Sequence, residues 1–269
     1  MNYATLLSKF QPMGVDLFCT SKKFLVFNLV SRNLKIKYRR SLLGLLWTLA
    51  HPLAMTAIYY FVFKVILQVK MAHYLVFMLS GVLTWSFFSA TLSEGLESLV
   101  GNFGLLTKVP IPIQVFSYVG TITNVVTWIL SLPVLLSAAW ISGTGMGWSL
   151  FVLPYFVVLL FLVSYGVSLI LSMAFVFFRD LRHILGLGLQ LWFYATPVIY
   201  DESMIPEKYK WLLNLNPVAK IFTGIHGIFV EGRWPSQSEL GVPFLWTLAI
   251  VLLALFLRRR WSDQLVENL

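Results

Sequence analysis

Only two carboxylates in the chain stand side by side, Asp201 and Glu202, and paired carboxylates are common equipment for general acid and base catalysis. Neighbouring positions in a loop need not converge on one substrate, so solvated loop carboxylates are the simpler reading. The four histidines, His51, His73, His183 and His226, are dispersed and lack the H-E-x-x-H or related spacing of a zinc site. The single cysteine, Cys19, excludes an internal disulfide and any multi-cysteine metal site. No G-x-x-x-x-G-K-[ST] run occurs, so the chain has no P-loop of its own for ATP. Catalytic equipment is thus sparse, whereas two other groupings are dense. One is a basic collar, Lys35, Lys37, Arg39 and Arg40 in "LKIKYRR", whose charge suits topology and an anionic headgroup. The other is a set of rings: Trp47, Tyr59, Tyr60 and Phe63, then Trp85 and Phe88, then Trp192, Tyr194 and Tyr200. Such rings account equally for core packing, for interfacial belts, or for the wall of a passage along which sugar faces slide.

The elements that must carry these groups are membrane helices. Apolar residues make up 58% of the 269 positions and charged residues 12%, far below the roughly 25% of soluble domains. The net charge of +9 comes from basic residues that flank apolar runs, which points to lipid and topology rather than to nucleic acid. One crossing needs about 20 apolar residues. Residues 41–63 supply the first, and residues 71–93, ended by Glu94 and Glu97, the second. Residues 109–178 hold no formal charge, enough for two crossings split by "SGTGMG" at 142–147. A fifth covers 183–200, and a sixth, 240–257, stops at "RRRW". An all-α integral membrane fold of six transmembrane helices is predicted.

With the first residues inside, the inner segments hold Lys9, Lys22, Lys23, Arg32, Lys35, Lys37, Arg39, Arg40, Lys108, Arg179, Arg182 and Arg258 to Arg260, which is 14 of the 20 basic residues. That bias predicts cytoplasmic termini. The first long apolar run starts only near Ser41, which does not read as a secretory signal. Three segments depart from simple spans. In "TSKKFLVFNLVSRNLKIKYRR", Phe24, Phe27, Val30 and Leu34 recur at helical spacing while Arg32, Lys35 and Arg39 take another face. An N-terminal amphipathic helix lying in the interface is expected. Between Tyr200 and Leu240, "WLLNL" and "VAKIFTGIHGIFV" are too short to cross and are interrupted by Pro206, Pro217, Gly224, Gly227 and Gly232. They read as short re-entrant helices at an outer mouth, or as an interfacial cap. "LESLVGNFGLLTKVPIPIQVF" combines a helical turn with a rigid extended exit, suited to docking a soluble partner or to an ordinary connection.

Four stretches in this order resemble one family, the permease subunits of type-2 ABC exporters, particularly those moving O-antigen, capsule or teichoic-acid polysaccharides. They are "RNLKIKYRRSLLGLLWTLAHPL", "NFGLLTKVPIP", "FFRDLRHIL" and "ATPVIYDESMIPEKYKWLLNLNPVAKI". The resemblance spans nearly the whole chain and divides it into an N-terminal segment 1–40, a six-span domain 41–258 and a tail 259–269. It implies a homodimer in the bacterial cytoplasmic membrane, joined to two copies of a separate ATPase subunit that holds ATP and Mg2+, with no cofactor in this chain. By the same resemblance 99–112 is a coupling loop carrying Asn102, Lys108 and Pro110, Arg179 and Asp180 belong to a second inner contact, and 201–239 is an outer gate. The collar would then meet the diphosphate of a lipid-linked glycan and the rings would line its passage. Arg179 and Asp180 also suit a simple local pair at a helix end. His51 in "LAHPL" stands where the family pattern leads one to expect a small polar residue or asparagine. Two other functions fit part of the pattern: export of a small hydrophobic compound, and membrane transfer chemistry on polyprenyl-linked sugars using Asp201, Glu202 or a histidine.

Overall fold

A charge-free run in hydrocarbon must satisfy its peptide groups internally, which favours helices. The computed structural model describes residues 20–38, 46–108, 111–144 and 147–268, and every regular element among them is helical. In chain order these are α1 (Thr20–Tyr38), α2 (Leu46–Tyr60, continued by a π turn Phe61–Ile66), α3 (Tyr74–Leu96), α4 (Phe103–Lys108) and α5 (Gln114–Ile141). They are followed by α6 (Leu153–Phe177, after a 3-10 turn Trp148–Val152), α7 (Leu181–Ala195), α8 (Trp211–Leu215), α9 (Ala219–His226) and α10 (Gln237–Asn268). Arg39, Arg40 and Pro110 lie outside the described residues.

Among the described residues, five helical stretches are long and apolar enough to cross a membrane: Trp47–Ile66, Tyr74–Leu96, Gln114–Ile141, Trp148–Phe177 and Gln237–Trp261. Even the shortest, 20 residues, reaches about 30 Å at 1.5 Å per residue. They coincide with the first four expected runs and the last. The expected fifth run, 183–200, contains the 15-residue α7, about 22 Å long. Its chain turns extended at Thr196, the residue before Pro197.

α3 is the central post. It contacts α2, α5, α6, α7 and α9, and its Phe77, Phe88 and Leu92 share one core with Phe156, Phe222 and Phe229. Two glycines permit the close approach: a Cβ on Gly81 would collide with the Val198 carbonyl oxygen, and one on Gly95 with the Ser168 hydroxyl. Small residues at helix contacts are a general device in membranes, where tight packing replaces the hydrophobic drive. In contrast, α2 and α10 leave most of their apolar surface uncovered, including Ile58, Phe61, Leu252 and Phe256.

α1 lies along α5. Its buried edge is Leu29 and Val30, with Leu25, Val26 and Leu34 alongside, and these join Leu99, Leu106, Phe116, Val176 and Leu265 in a second core at the basic end. Phe24 and Phe27 point away from that core, at 68% and 69% exposure. The apolar residues of α1 therefore serve two faces. At the opposite end Gly143 takes φ +68° and closes α5, its N–H donating to the Trp140 carbonyl.

The segment between α7 and α10 folds onto the bundle. All of α9 is buried, and the Tyr74 hydroxyl donates to the Ile199 carbonyl at 3.0 Å. Arg233 grips Glu239, in the first turn of α10, through two bonds of 2.8 and 2.7 Å, and the Glu239 carboxylate also accepts the Ser236 N–H. Lys220 reaches both oxygens of Glu202 at 2.8 and 2.9 Å.

Candidate functional site

A cleft of about 790 Å3 opens between α2, α3, α5 and α7. It extends along α2 from Trp47 to Tyr59, about 18 Å of helix. One wall is aromatic. Trp47, Tyr59, Trp85 and Tyr194 line it, joined by Phe87, Trp128 and Phe193. Phe193 organises this wall: its ring stacks on Tyr59 at 5.7 Å and meets Trp85 and Tyr194 edge-on at 5.5 and 5.2 Å. The other wall carries short polar groups, Ser86, Ser89 and Ser93 on α3 and Asn124, Thr127 and Ser131 on α5. Spacings of three and four residues place each trio on one helix face. The Trp128 indole N–H is buried and has no protein acceptor among the described residues.

At the basic end of the cleft three polar groups interlock. Lys37 Nζ donates to Glu94 at 2.9 Å and to Asn124 Oδ1 at 3.1 Å, and Asn124 Nδ2 donates to the second Glu94 oxygen at 2.9 Å. Lys37 lines the cleft, as does His51. Lys35, two residues earlier and so on the far side of α1 at about 100° per residue, does not line it.

The remaining sequence candidates take other places. Phe88 is completely buried in the core, its ring edge-on to Trp192 at 5.1 Å. Trp192 acts as a strut, donating from Nε1 to Asn216 Oδ1 at 3.0 Å. Tyr60 tilts against Tyr74 at 6.4 Å, Phe63 is half-buried beside the main core, and the Tyr200 hydroxyl donates to the Tyr194 carbonyl at 3.0 Å. Sequence reading passed over Phe193 as a site residue, and over Trp128 and the two hydroxyl stripes. The stripes had a signal: recurring Ser, Thr and Asn at intervals of three and four in runs without formal charge.

Residues 25–230 match the model of the ABC-2 type transporter family. The chain belongs to that family. Similar proteins include the O-antigen export system permease protein RfbA of Myxococcus xanthus, 35% identical over 218 residues, 80% of this chain and 84% of that one. A Klebsiella pneumoniae protein of the same name is 31% identical over 206 residues, 76% and 79% of the two chains. The polysialic acid transport protein KpsM of Escherichia coli is 23% identical over 254 residues, 92% and 97%.

In this ABC-2 chain the expected coupling loop is a short 3-10 turn, Val100–Asn102, running into α4, which ends at Lys108. Asn102 is tied down on two sides: Oδ1 accepts from Arg32 of α1 at 3.2 Å, and Nδ2 donates to the Ser98 carbonyl at 2.9 Å. Arg182, at the start of α7, pairs with Glu97 at 2.8 Å. Arg179 lies over the Phe175 ring at 5.3 Å and makes no ion pair with Asp180 among the described residues. α1, the 97–108 segment and the α6–α7 turn are thereby cross-linked by polar contacts at the basic end.

Proposed function

We propose that this chain is the permease subunit of an ATP-driven exporter that moves a lipid-linked polysaccharide across the bacterial cytoplasmic membrane. The observation that carries this reading is the cleft with unlike walls. A sugar ring has apolar CH faces and a hydroxyl rim, so rings on one side and short hydroxyls and an amide on the other meet both parts. The Ser89 and Ser131 hydroxyls donate to carbonyls of their own helices, which leaves their oxygens to accept from a sugar hydroxyl. The relatives named for O-antigen export and polysialic acid transport support the same substrate class.

On this reading two copies of the chain face each other through α2 and α7, whose exposed rings and aliphatics at Trp47, Ile58, Leu187, Leu191 and Tyr194 remain uncovered in one copy. Two copies of a separate subunit bind ATP with Mg2+ and push on 99–112, with the turn at Arg179 and Asp180 as a second contact. The Arg32–Asn102 and Arg182–Glu97 contacts would pass that push to α1 and α7. The basic end is cytoplasmic, as are both termini. α7 and the turn at 196–200 together make the fifth of six crossings, α8 and α9 are re-entrant, and 201–239 forms the outer gate. The glycan enters beside the collar, where Lys37 attracts the diphosphate.

The test is export of a radiolabelled lipid-linked glycan by the permease reconstituted with its ATPase subunit. Trp47→Ala and Tyr59→Ala are expected to cut export about tenfold while the assembly and its ATP hydrolysis persist. Unchanged export in both variants would remove the cleft from the transport path. Failure of the purified chain to bring down any ATPase subunit would remove the exporter reading altogether.

A further inference from the structure

A second concavity, of about 710 Å3, lies between α1 and α5 on the outside of the bundle. Its walls are Val26, Phe27, Val30 and Leu34 of α1 and Tyr118, Ile122 and Val126 of α5, with Lys23 and Lys35 flanking the α1 side. We propose that this groove binds an anionic glycerophospholipid from the leaflet at the basic end, its phosphate held by Lys35 and an acyl chain laid along α5, with Lys23, 12 residues and about 18 Å away along α1, adding positive charge at the far end of the groove. The inference rests on the interfacial placement of α1 that belongs to the reading above.

Three features select this occupant. The volume falls in the range of ligand pockets, roughly 300–1,000 Å3, and the lining is apolar except for the two ammonium groups, Ser31 and the Tyr118 hydroxyl. Such a surface asks for a long apolar body carrying a negative head. Tyr118, Ile122 and Val126 occupy three successive turns near the start of α5, about 12 Å of helix, close to the roughly 15 Å depth of one leaflet. Basic pockets beside membrane helices hold anionic headgroups by this means.

The groove is separate from the transport path. At about 100° per residue, Tyr118, Ile122 and Val126 centre about 170° away from Asn124, Thr127 and Ser131, the α5 residues of the cleft. A glycan carrier moving through the cleft therefore does not meet this surface. A second copy seated on a two-fold axis through the groove would bring like charges together. The groove thus takes a resident lipid of opposite charge, and Lys35 and Lys37, neighbours in the collar, serve different molecules.

The experiment is native mass spectrometry of the delipidated permease titrated with phosphatidylglycerol or with phosphatidylcholine of the same acyl chains. Phosphatidylglycerol is expected to bind in preference, at about one molecule per chain. The double variant Lys23→Gln with Lys35→Gln should weaken it about thirty-fold, given the usual contribution of each cation near a lipid surface. Ile122→Trp, which fills the groove without altering charge, should reduce retention of both lipids, with helical circular dichroism as the folding control. Equal binding of the two lipids, or unchanged phosphatidylglycerol affinity in the double variant, would overturn the proposal. So would phosphatidylglycerol binding that appears only after removal of residues 2–19, since the chain's own beginning would then be the occupant. Lipid affinity is read without export, so this result and that of the transport test fall independently.

Discussion

Asn216 should be the residue whose loss uncouples α7 from the segment that follows it. All of its side-chain bonding capacity toward protein is engaged: Oδ1 accepts Trp192 Nε1 and the Val218 N–H at 3.0 and 3.1 Å, and Nδ2 donates to the Ala195 carbonyl and the Thr196 hydroxyl at 3.1 and 2.9 Å. At about 0.5–1.5 kcal/mol net per hydrogen bond, and with the site half-buried, Asn216→Ala is expected to cost about 3 kcal/mol. Trp192→Phe removes one of those bonds and some indole packing on Phe88. If the Trp192–Asn216 bond is the link between them, the double variant should be less damaging than the sum of the singles by about 1 kcal/mol. Equilibrium unfolding in mixed micelles, followed by helical circular dichroism, gives all four corners of the cycle. A coupling below about 0.3 kcal/mol would refute the strut, because the two residues would then act independently. Asn216→Asp supplies a further check: it keeps the two accepted bonds but sets an oxygen against the Ala195 carbonyl, so it should also destabilise.

Glu94→Gln should change stability by less than about 1 kcal/mol, because both partners of the Lys37–Glu94 pair are partly exposed. It also leaves the Lys37 charge uncompensated, so the variant should bind an acidic oligosaccharide more tightly than the parent does, while a neutral one binds unchanged. Equal gains for both would contradict that electrostatic account. Gly81→Ala must displace the Val198 backbone and is expected to cost about 1–3 kcal/mol. Gly120→Ala, where a Cβ meets nothing within 4 Å, should be neutral or stabilising; a similar loss at both sites would refute the packing argument. His226 lies between the Ser80 hydroxyl and the Pro197 carbonyl, each at 3.0 Å, and burial pushes its imidazole down from 6.5 to about 4. The unfolded chain therefore takes up a proton that the folded chain refuses between those pH values. Stability present above pH 6.5 is lost as the pH falls toward 4, by at most about 3 kcal/mol. A thermal-melting series against pH should show that slope in the parent and lack it in His226→Gln; the same slope in both would exclude His226 as its source.

The long spans were readable because charge is costly in hydrocarbon: Glu94, the "RRRW" run and the long charge-free stretch fall within a few residues of where spans end, although α10 itself continues as helix to Asn268. α7 was harder, since its apolar run continues beyond the helix and Pro197 stops the helix before the hydropathy falls. The aromatic residues showed that rings matter without showing which of them share a cavity. Trp85 and Phe88 are three residues apart on α3, yet Trp85 lines the cleft and Phe88 is core, a distinction set by where α7 leans. The Lys37–Glu94–Asn124 cluster joins three distant elements, and nothing in local spacing announces it. In α1, the expected apolar stripe was Phe24, Phe27, Val30 and Leu34, of which Val30 and Leu34 meet the second core together with Leu29, while Phe24 and Phe27 stay exposed. The basic collar likewise looked like one feature, whereas helical geometry sends Lys35 and Lys37 to opposite sides.

The division of α5 makes its register, more than its composition, the quantity under constraint. Between Tyr118 and Ser131 two sets of residues are interleaved like threads on a screw, one turned to the hydroxyl wall and one to the lipid side. Inserting two residues just before Asn124 would preserve hydropathy and helix propensity almost unchanged, yet rotate everything beyond by about 200°. Thr127 and Ser131 would then face acyl chains, and aliphatic side chains would face the passage. A span that tolerates many conservative substitutions should therefore be intolerant of length changes that break register, and deletion of two residues there should abolish transport in chains that still insert as helices, more severely than deletion of four, which rotates the rest by only about 40°.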